Sequence, residues 1–335
     1  MKFFKKPKIC LLFCGGTIAM GRDKETGLLV PSKSVEDLLA VAPELNDRFD
    51  IAYKHITSID SSNIQPSHWT ILIKSIEKHY NKFDGFVILH GTDTMAYTAS
   101  ALALGLQGLT KTVAVTGSMI PAEFENSDAK TNLINAFRVA SLPFNEVVIS
   151  FGNKILRGIK AQKWSEKDFN AFYSLVPPVG IIKRKIKWSK KINISQKLKV
   201  KPYFEEGILQ IRLHPGFNSE IMLDAVKNKK CKGIILQGFG SGNVPTTHNS
   251  ILPLIEYAIK KRKIPVLLST QCIFGKVKAP LYGAGYYAHQ LGAILTQDLT
   301  YEAALVKLSW CLAQTKDIGK IRDMIKFNYV GEIQA

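Results

Sequence analysis

Cysteine is scarce in this 335-residue sequence and poorly placed for bridging or for holding a metal. Cys10, Cys14, Cys231, Cys272 and Cys311 are an odd, scattered set with no Cys-x-x-Cys pair and no histidine at ligand spacing. They read as reduced, mostly buried thiols, and no metal site is expected. Long apolar runs are missing as well. Ile9 to Phe13 and Phe86 to Leu89 fall far short of the roughly 20 residues of a membrane-spanning helix, so no membrane partner is expected. Four lysines between Met1 and Lys8 precede the six apolar residues Ile9 to Cys14, which imitates a secretory signal. Ending at Gly15-Gly16, that short stretch reads better as a buried first strand entering a tight turn, and the protein is placed in the cytoplasm.

Acidic residues are the deficient charge: 27 Asp and Glu against 45 Lys and Arg leave a net charge of +18. Lys183 to Lys201 holds nine basic residues (Lys183, Arg184, Lys185, Lys187, Lys190, Lys191, Lys197, Lys199, Lys201) and no acid. Such a run suits a nucleic-acid or membrane surface. Trp188 is its one aromatic, however, and without interleaved rings for base stacking the preferred reading is a solvated, lysine-rich connector with no nucleic-acid partner. Cofactor loops are lacking too. Centring G-x-G-x-x-G on Gly16 puts Cys14 and Ala19 where glycines belong, and no stretch matches a phosphate-binding G-x-x-x-x-G-K-[ST] loop. No cofactor is expected.

What is present is an alternation of short apolar runs with amphipathic stretches, the pattern of an α/β protein whose parallel strands are covered by helices on both faces. Strands are expected at residues 8–14, 51–56, 84–90, 112–117 and 146–151, with helices at 35–40, 65–80, 95–106 and 129–141. The pattern loosens after Phe172, through Pro177-Pro178 and the basic run, and resumes with a strand at 207–213. Further strands are expected at 232–237 and 264–269, and helices at 218–228, 249–261, 301–313 and 317–327. The expected organisation is a larger N-terminal domain with a mostly parallel sheet (1–190), a linker (191–210) and a smaller C-terminal α/β domain (211–335).

Ligand chemistry in open α/β sheets gathers beyond the carboxyl ends of the strands. Four such ends are Gly15-Gly16-Thr17-Ile18, Ser58-Ile59-Asp60-Ser61-Ser62-Asn63, His90-Gly91-Thr92-Asp93-Thr94 and Thr116-Gly117-Ser118. They combine hydroxyls with carboxylates. A hydroxyl nucleophile needs a base or polarising neighbour, and a lysine paired with Asp93 near a threonine would supply one. Threonines after strands also cap helices and turns, and the residues alone leave both readings open for Thr17, Thr92 and Thr94.

The Gly15-Gly16-Thr17-Ile18 turn, Asp60-Ser61-Ser62 and the seventeen residues from Asp84 to Ser100 (DGFVILHGTDTMAYTAS) together resemble the bacterial type I, cytoplasmic L-asparaginases. Thr116-Gly117-Ser118 with Ile120-Pro121, Arg157-Gly158 leading to Lys163, Gly240-x-Gly242-Asn243 and Thr270-Gln271-Cys272 extend the resemblance over nearly the whole chain. It implies hydrolysis of L-asparagine with Thr17 as nucleophile, forming a β-aspartyl ester, and with Thr92, Asp93 and Lys163 as the second catalytic cluster. Asp60 and Ser61, with Thr92 and Asp93, would bind the substrate and grip its α-amino and α-carboxylate groups. Lys163 is selected from Lys160, Lys163 and Lys167 by that register alone.

The resemblance also implies a homodimer or homotetramer. A tyrosine that it places in the loop after the first threonine is absent from Gly27-Leu28-Leu29-Val30-Pro31. An allosteric asparagine site known in some type I members aligns with Gln162, Gln237, Asn243 and Thr270. Gln237 stands there for an arginine and Gln162 for a small hydroxyl residue, so little or no cooperativity is expected. Two alternatives accompany this reading. One is an ammonia-releasing subunit of a tRNA-dependent amidotransferase, which carries an extra N-terminal domain where this sequence has fourteen residues before Gly15. The other is a catalytically weak amino-acid-binding homologue.

Overall fold

The first strand, Lys8–Gly15, buries every residue after Lys8. A run that is apolar on both faces can only lie inside a sheet covered on both sides. The computed structural model, which describes residues 5–188, 197–277 and 283–334, puts it there. The described residues form two compact units divided between Pro202 and Tyr203.

In the first unit all five expected strands are present, and their order is Val147–Phe151, Val113–Thr116, Gly85–Leu89, Lys8–Gly15, Asp50–Ile59, all parallel. Three antiparallel strands extend the sheet beyond Val147–Phe151: Lys154–Arg157, Gly180–Ile182 and Ile186–Trp188. The sequence pattern did not single these out. The last of them belongs to the basic run, where Trp188 packs against Phe144 while Lys185 and Lys187 stay exposed. Lys199–Val200, also in that run, pairs with Leu106–Gln107. Part of the expected connector is therefore strand, and residues 189–196 lie outside the described residues.

Helices cover the sheet for legible reasons. Pro66–His79 starts with proline at its first position and buries Trp69, Leu72, Ile73 and Ile76, one stripe at helical spacing. Met95–Gly105 is apolar and small all round and is buried from Met95 to Gly105 except at Tyr97. Phe13, Val87, Leu89, Leu133 and Phe137 anchor one contiguous core, each such side chain contributing about 2–3 kcal/mol by leaving water.

The second unit is a four-stranded parallel sheet, Ile208–Arg212, Gly233–Gly238, Val266–Thr270 and Ile294–Leu295, with its own core around Leu236, Ile255 and Leu268. The helix expected at 249–261 is there as Leu252–Glu256, continuing as a wider π turn over Tyr257–Lys261. In Tyr301–Gln314 the wholly buried Lys307 donates to Glu332 at 2.7 Å and to the carbonyls of Ile325 and Phe327 at 2.9 and 2.6 Å. Glu332 in turn accepts the N–H groups of Tyr329 and Val330 at 3.0 and 2.8 Å. Removing one member of such a pair typically costs about 3–5 kcal/mol.

Candidate active site

In the five parallel strands the chain runs second, first, third, fourth, fifth across the sheet, so connections leave the first and third strands in opposite directions. The crevice at that switch point is where α/β sheets receive ligands. The two loops that flank it carry Gly15-Gly16-Thr17 and His90-Gly91-Thr92-Asp93.

Backbone contact brings these loops together. Gly16 has φ +91°, and a Cβ there would lie 2.3 Å from the Gly91 nitrogen. Gly91 is equally constrained, because its Cβ would sit 2.6 Å from Ser61 Oγ and 3.2 Å from Gly16 Cα. Three strand ends thus converge through two residues without side chains. The register between the first two strands shifts past Phe13, pairing Gly15 with Ile59, and this irregularity turns the Asp60-Ser61 end toward the same place.

Lys163 reaches the third loop from the hairpin Ala161–Lys163 and Phe172–Ser174. Its Nζ donates to Thr92 Oγ1 at 2.8 Å and to Asp93 Oδ1 at 2.6 Å. Of the neighbouring lysines, Lys160 is buried and Lys167 exposed. Thr92 and Ser61 are buried, Thr17 and Asp60 half-buried, and the Asp93 side chain is 61% exposed. Asp60 Oδ1 accepts the N–H and hydroxyl of Ser62 at 2.7 and 2.6 Å, and these bonds hold its carboxyl below the usual range. Among the described residues, the hydroxyls of Thr17 and Ser61 and the second carboxylate oxygens of Asp60 and Asp93 have no hydrogen-bond partner. The arrangement offers two carboxylate oxygens for an ammonium group, a hydroxyl donor for a carboxylate, and a free threonine hydroxyl near one already bonded to an ammonium.

Several supports were not legible beforehand. Trp69 Nε1 donates to Thr98 Oγ1 at 3.1 Å, Thr98 Oγ1 lies 2.9 Å from His90 Nε2, and His90 Nδ1 lies 2.7 Å from the Gly91 carbonyl. A carbonyl only accepts, so Nδ1 carries the hydrogen and Nε2 accepts from Thr98. Burial pushes His90 down to about 4, keeping it neutral. Asp128 accepts the N–H groups of Met119 and Ile120 at 2.9 and 3.1 Å and pins the fourth loop. A histidine ending a buried strand was the only sign of the first network. The loop after Thr17 is a hairpin, Met20–Arg22 with Leu29–Pro31, that presents Leu28 and Leu29 to solvent.

The four residues aligned with an allosteric site divide between the units. Gln162, in the first, accepts the Tyr173 hydroxyl at 2.7 Å. In the second, Gln237 accepts from Gln210 Nε2 at 3.1 Å, Asn243 pairs through its backbone with Phe239, and the Thr270 hydroxyl donates to the Gly240 carbonyl. Cys272 is exposed and the other four thiols are buried, all free. Among the described residues no cluster could hold a metal ion, and no helix is long and apolar enough to cross a membrane.

Comparison with known proteins adds sequence-wide likenesses. The family model described as asparaginase, N-terminal, matches residues 8–194, and that of the glutaminase/asparaginase C-terminal domain matches residues 208–325. L-asparaginase 1 of Escherichia coli is 36% identical over 98% of each chain. A glutamyl-tRNA(Gln) amidotransferase subunit from Pyrococcus abyssi is 34% identical over 98% of this chain and 77% of its own length. Among solved structures, the thermostable L-asparaginase from Thermococcus kodakarensis superposes with a TM-score of 0.90 at 32% identity, covering 98% of this chain and 99% of that one.

Proposed function

Because this chain belongs to the asparaginase family, an amidohydrolase family, we propose that it hydrolyses L-asparagine to L-aspartate and ammonia through a threonine-linked acyl-enzyme. The observation that carries this reading is the Lys163 ammonium bonded at once to Thr92 and Asp93, on a loop in backbone contact with the Gly16-Thr17 turn. Thr17 Oγ1 attacks the side-chain amide carbon, its proton passes to the departing amide nitrogen, and ammonia leaves. Water then adds to the β-aspartyl ester, breaking the bond to Thr17 and restoring its hydroxyl. A weak nucleophile needs such help, and Thr92 with Lys163 and Asp93 provides the proton-handling group. No tyrosine stands in the Met20–Pro31 hairpin, so activation falls to this cluster.

Asp60 and Asp93 offer their unbonded oxygens to the α-ammonium and Ser61 its hydroxyl to the α-carboxylate, which favours a free amino acid. Ile9–Cys14 form a buried strand paired on both sides within the sheet, which supports a cytoplasmic enzyme. A homodimer or homotetramer is the expected assembly, and sedimentation of an active monomer would contradict it. The reaction is tested by a coupled ammonia assay on the purified chain. Steady release from L-asparagine alone is expected; release only with tRNA or a partner protein present would sink the reading.

A further inference from the structure

The two loops that grip the substrate in the proposed reaction come from strands that do not touch. Asp50–Ile59, which leads to Asp60 and Ser61, is the edge strand and pairs with Lys8–Gly15. Gly85–Leu89, which leads to Thr92 and Asp93, pairs with the opposite side of that same strand. Sheet hydrogen bonds therefore fix the spacing of the loops only through a third element. Among the described residues a single hydrogen bond joins them directly, from Thr94 Oγ1 to the Ser61 carbonyl at 2.7 Å. That carbonyl also accepts the Ile64 N–H at 3.1 Å, closing the turn Ser61–Asn63, so both of its lone pairs are engaged. Threonine at the start of a helix ordinarily caps it, but the Thr94 side chain makes no cap bond to Met95–Gly105. Its hydroxyl serves the neighbouring loop instead.

We propose that Thr94 is a positioning residue for substrate binding: its hydroxyl sets the distance between Asp60-Ser61 and Thr92-Asp93, and so the fit to the α-amino and α-carboxylate groups. The role rests on the proposed reaction. Among the described residues the Thr94 hydroxyl bonds to the Ser61 carbonyl and not to Lys163, so its loss acts on affinity before chemistry. Gly91 lets Ser61 approach, and Thr94 holds it at that approach.

Thr94→Val keeps the shape and removes the hydroxyl; Thr94→Ser keeps the hydroxyl. In the valine variant KM for L-asparagine rises roughly tenfold, the equivalent of one lost hydrogen bond, while kcat changes by less than about twofold. The serine variant returns KM to within about twofold of the unmodified protein. Calorimetric titration with L-aspartate, which has the same α-groups and no amide, shows the same loss and rescue in Kd. An unchanged KM and Kd in the valine variant, or a parallel fall of kcat in both variants, overturns the positioning role. If the unmodified protein neither releases ammonia from L-asparagine nor binds L-aspartate, the proposed reaction itself fails, and this role with it.

Discussion

Both units present the carboxyl ends of parallel strands to a set of loops, yet the two sets of loops use their polar groups in opposite ways. In the first unit the Thr17 and Ser61 hydroxyls and one oxygen each of Asp60 and Asp93 are left without protein partners among the described residues, while their backbones are locked by contact. In the second unit the corresponding groups satisfy one another. Gln271 Nε2 donates to the carbonyls of Leu213 and Gln237 at 2.6 and 3.0 Å, Gln210 donates to Gln237, and Thr270 closes on Gly240. A loop built to bind keeps donors and acceptors in reserve, whereas the Gln271 and Gln210 amides and the Thr270 hydroxyl are spent on neighbouring backbone and side chains. Fold alone does not distinguish them, since the same architecture serves both.

The contrast breaks most sharply at Thr17. If the proposed reaction runs through these two hydroxyls, Thr17→Ala and Thr92→Val should each reduce ammonia release about a thousandfold or more with the circular dichroism spectrum unchanged. A near-normal rate in either variant would end the two-threonine mechanism.

His90, behind the same loops, sharpens the contrast through pH. Its folded pKa of about 4 lies below the ordinary 6.5, chiefly through burial, so the unfolded chain takes up a proton that the folded chain refuses. Stability from this group is complete above pH 6.5 and falls as pH drops toward 4, by about 3 kcal/mol in all. Urea titrations at pH 7, 5.5 and 4.5 should show that slope in the unmodified protein and a shallower one in His90→Gln; identical slopes would remove His90 as the cause.

In the second unit, Gln271→Leu should cost about 1–2 kcal/mol of stability, because the Leu213 carbonyl loses the amide donor and the Gln237 carbonyl, which also accepts the Leu213 N–H, loses one of two, with kcat unchanged. A loss of rate without a loss of stability would show that these loops are not merely self-contained. The smallest expected effect is none. Rate should rise hyperbolically with asparagine, with a Hill coefficient near one, since Gln237 lacks the guanidinium that would give an effector different affinities for two states. A sigmoidal curve made hyperbolic by Thr270→Ala would reverse that expectation.

Long apolar strands and amphipathic helices were legible in the sequence because each declares its period and its burial within a few residues. Three-residue strands such as Gly180–Ile182 and Ile186–Trp188 carry too short a pattern to read, and the basic run disguised the second of them. Thr17, Thr92 and Asp93 were legible as residues at strand ends. Lys163 was picked out from its neighbours by family register, and its two bonds to the third loop join positions some seventy residues apart. The Thr94 tie and the Trp69–Thr98–His90 chain could not be foreseen. Each couples residues whose local roles, a cap or a core side chain, are already sufficient to account for them.

The buried pair of Lys307 and Glu332 bears on the order in which the protein is made. Helix Tyr301–Gln314 cannot settle into its final surroundings until Glu332 has been synthesised and has cleared the ribosome. The first unit, whose residues end at Pro202, needs nothing from that segment for its own sheet. At about 5–20 residues per second it gains several seconds in which to fold while the second unit is still being translated. The first unit is thus ready before the one that closes last, and a ribosome stalled short of Glu332 would display one finished sheet and one unfinished.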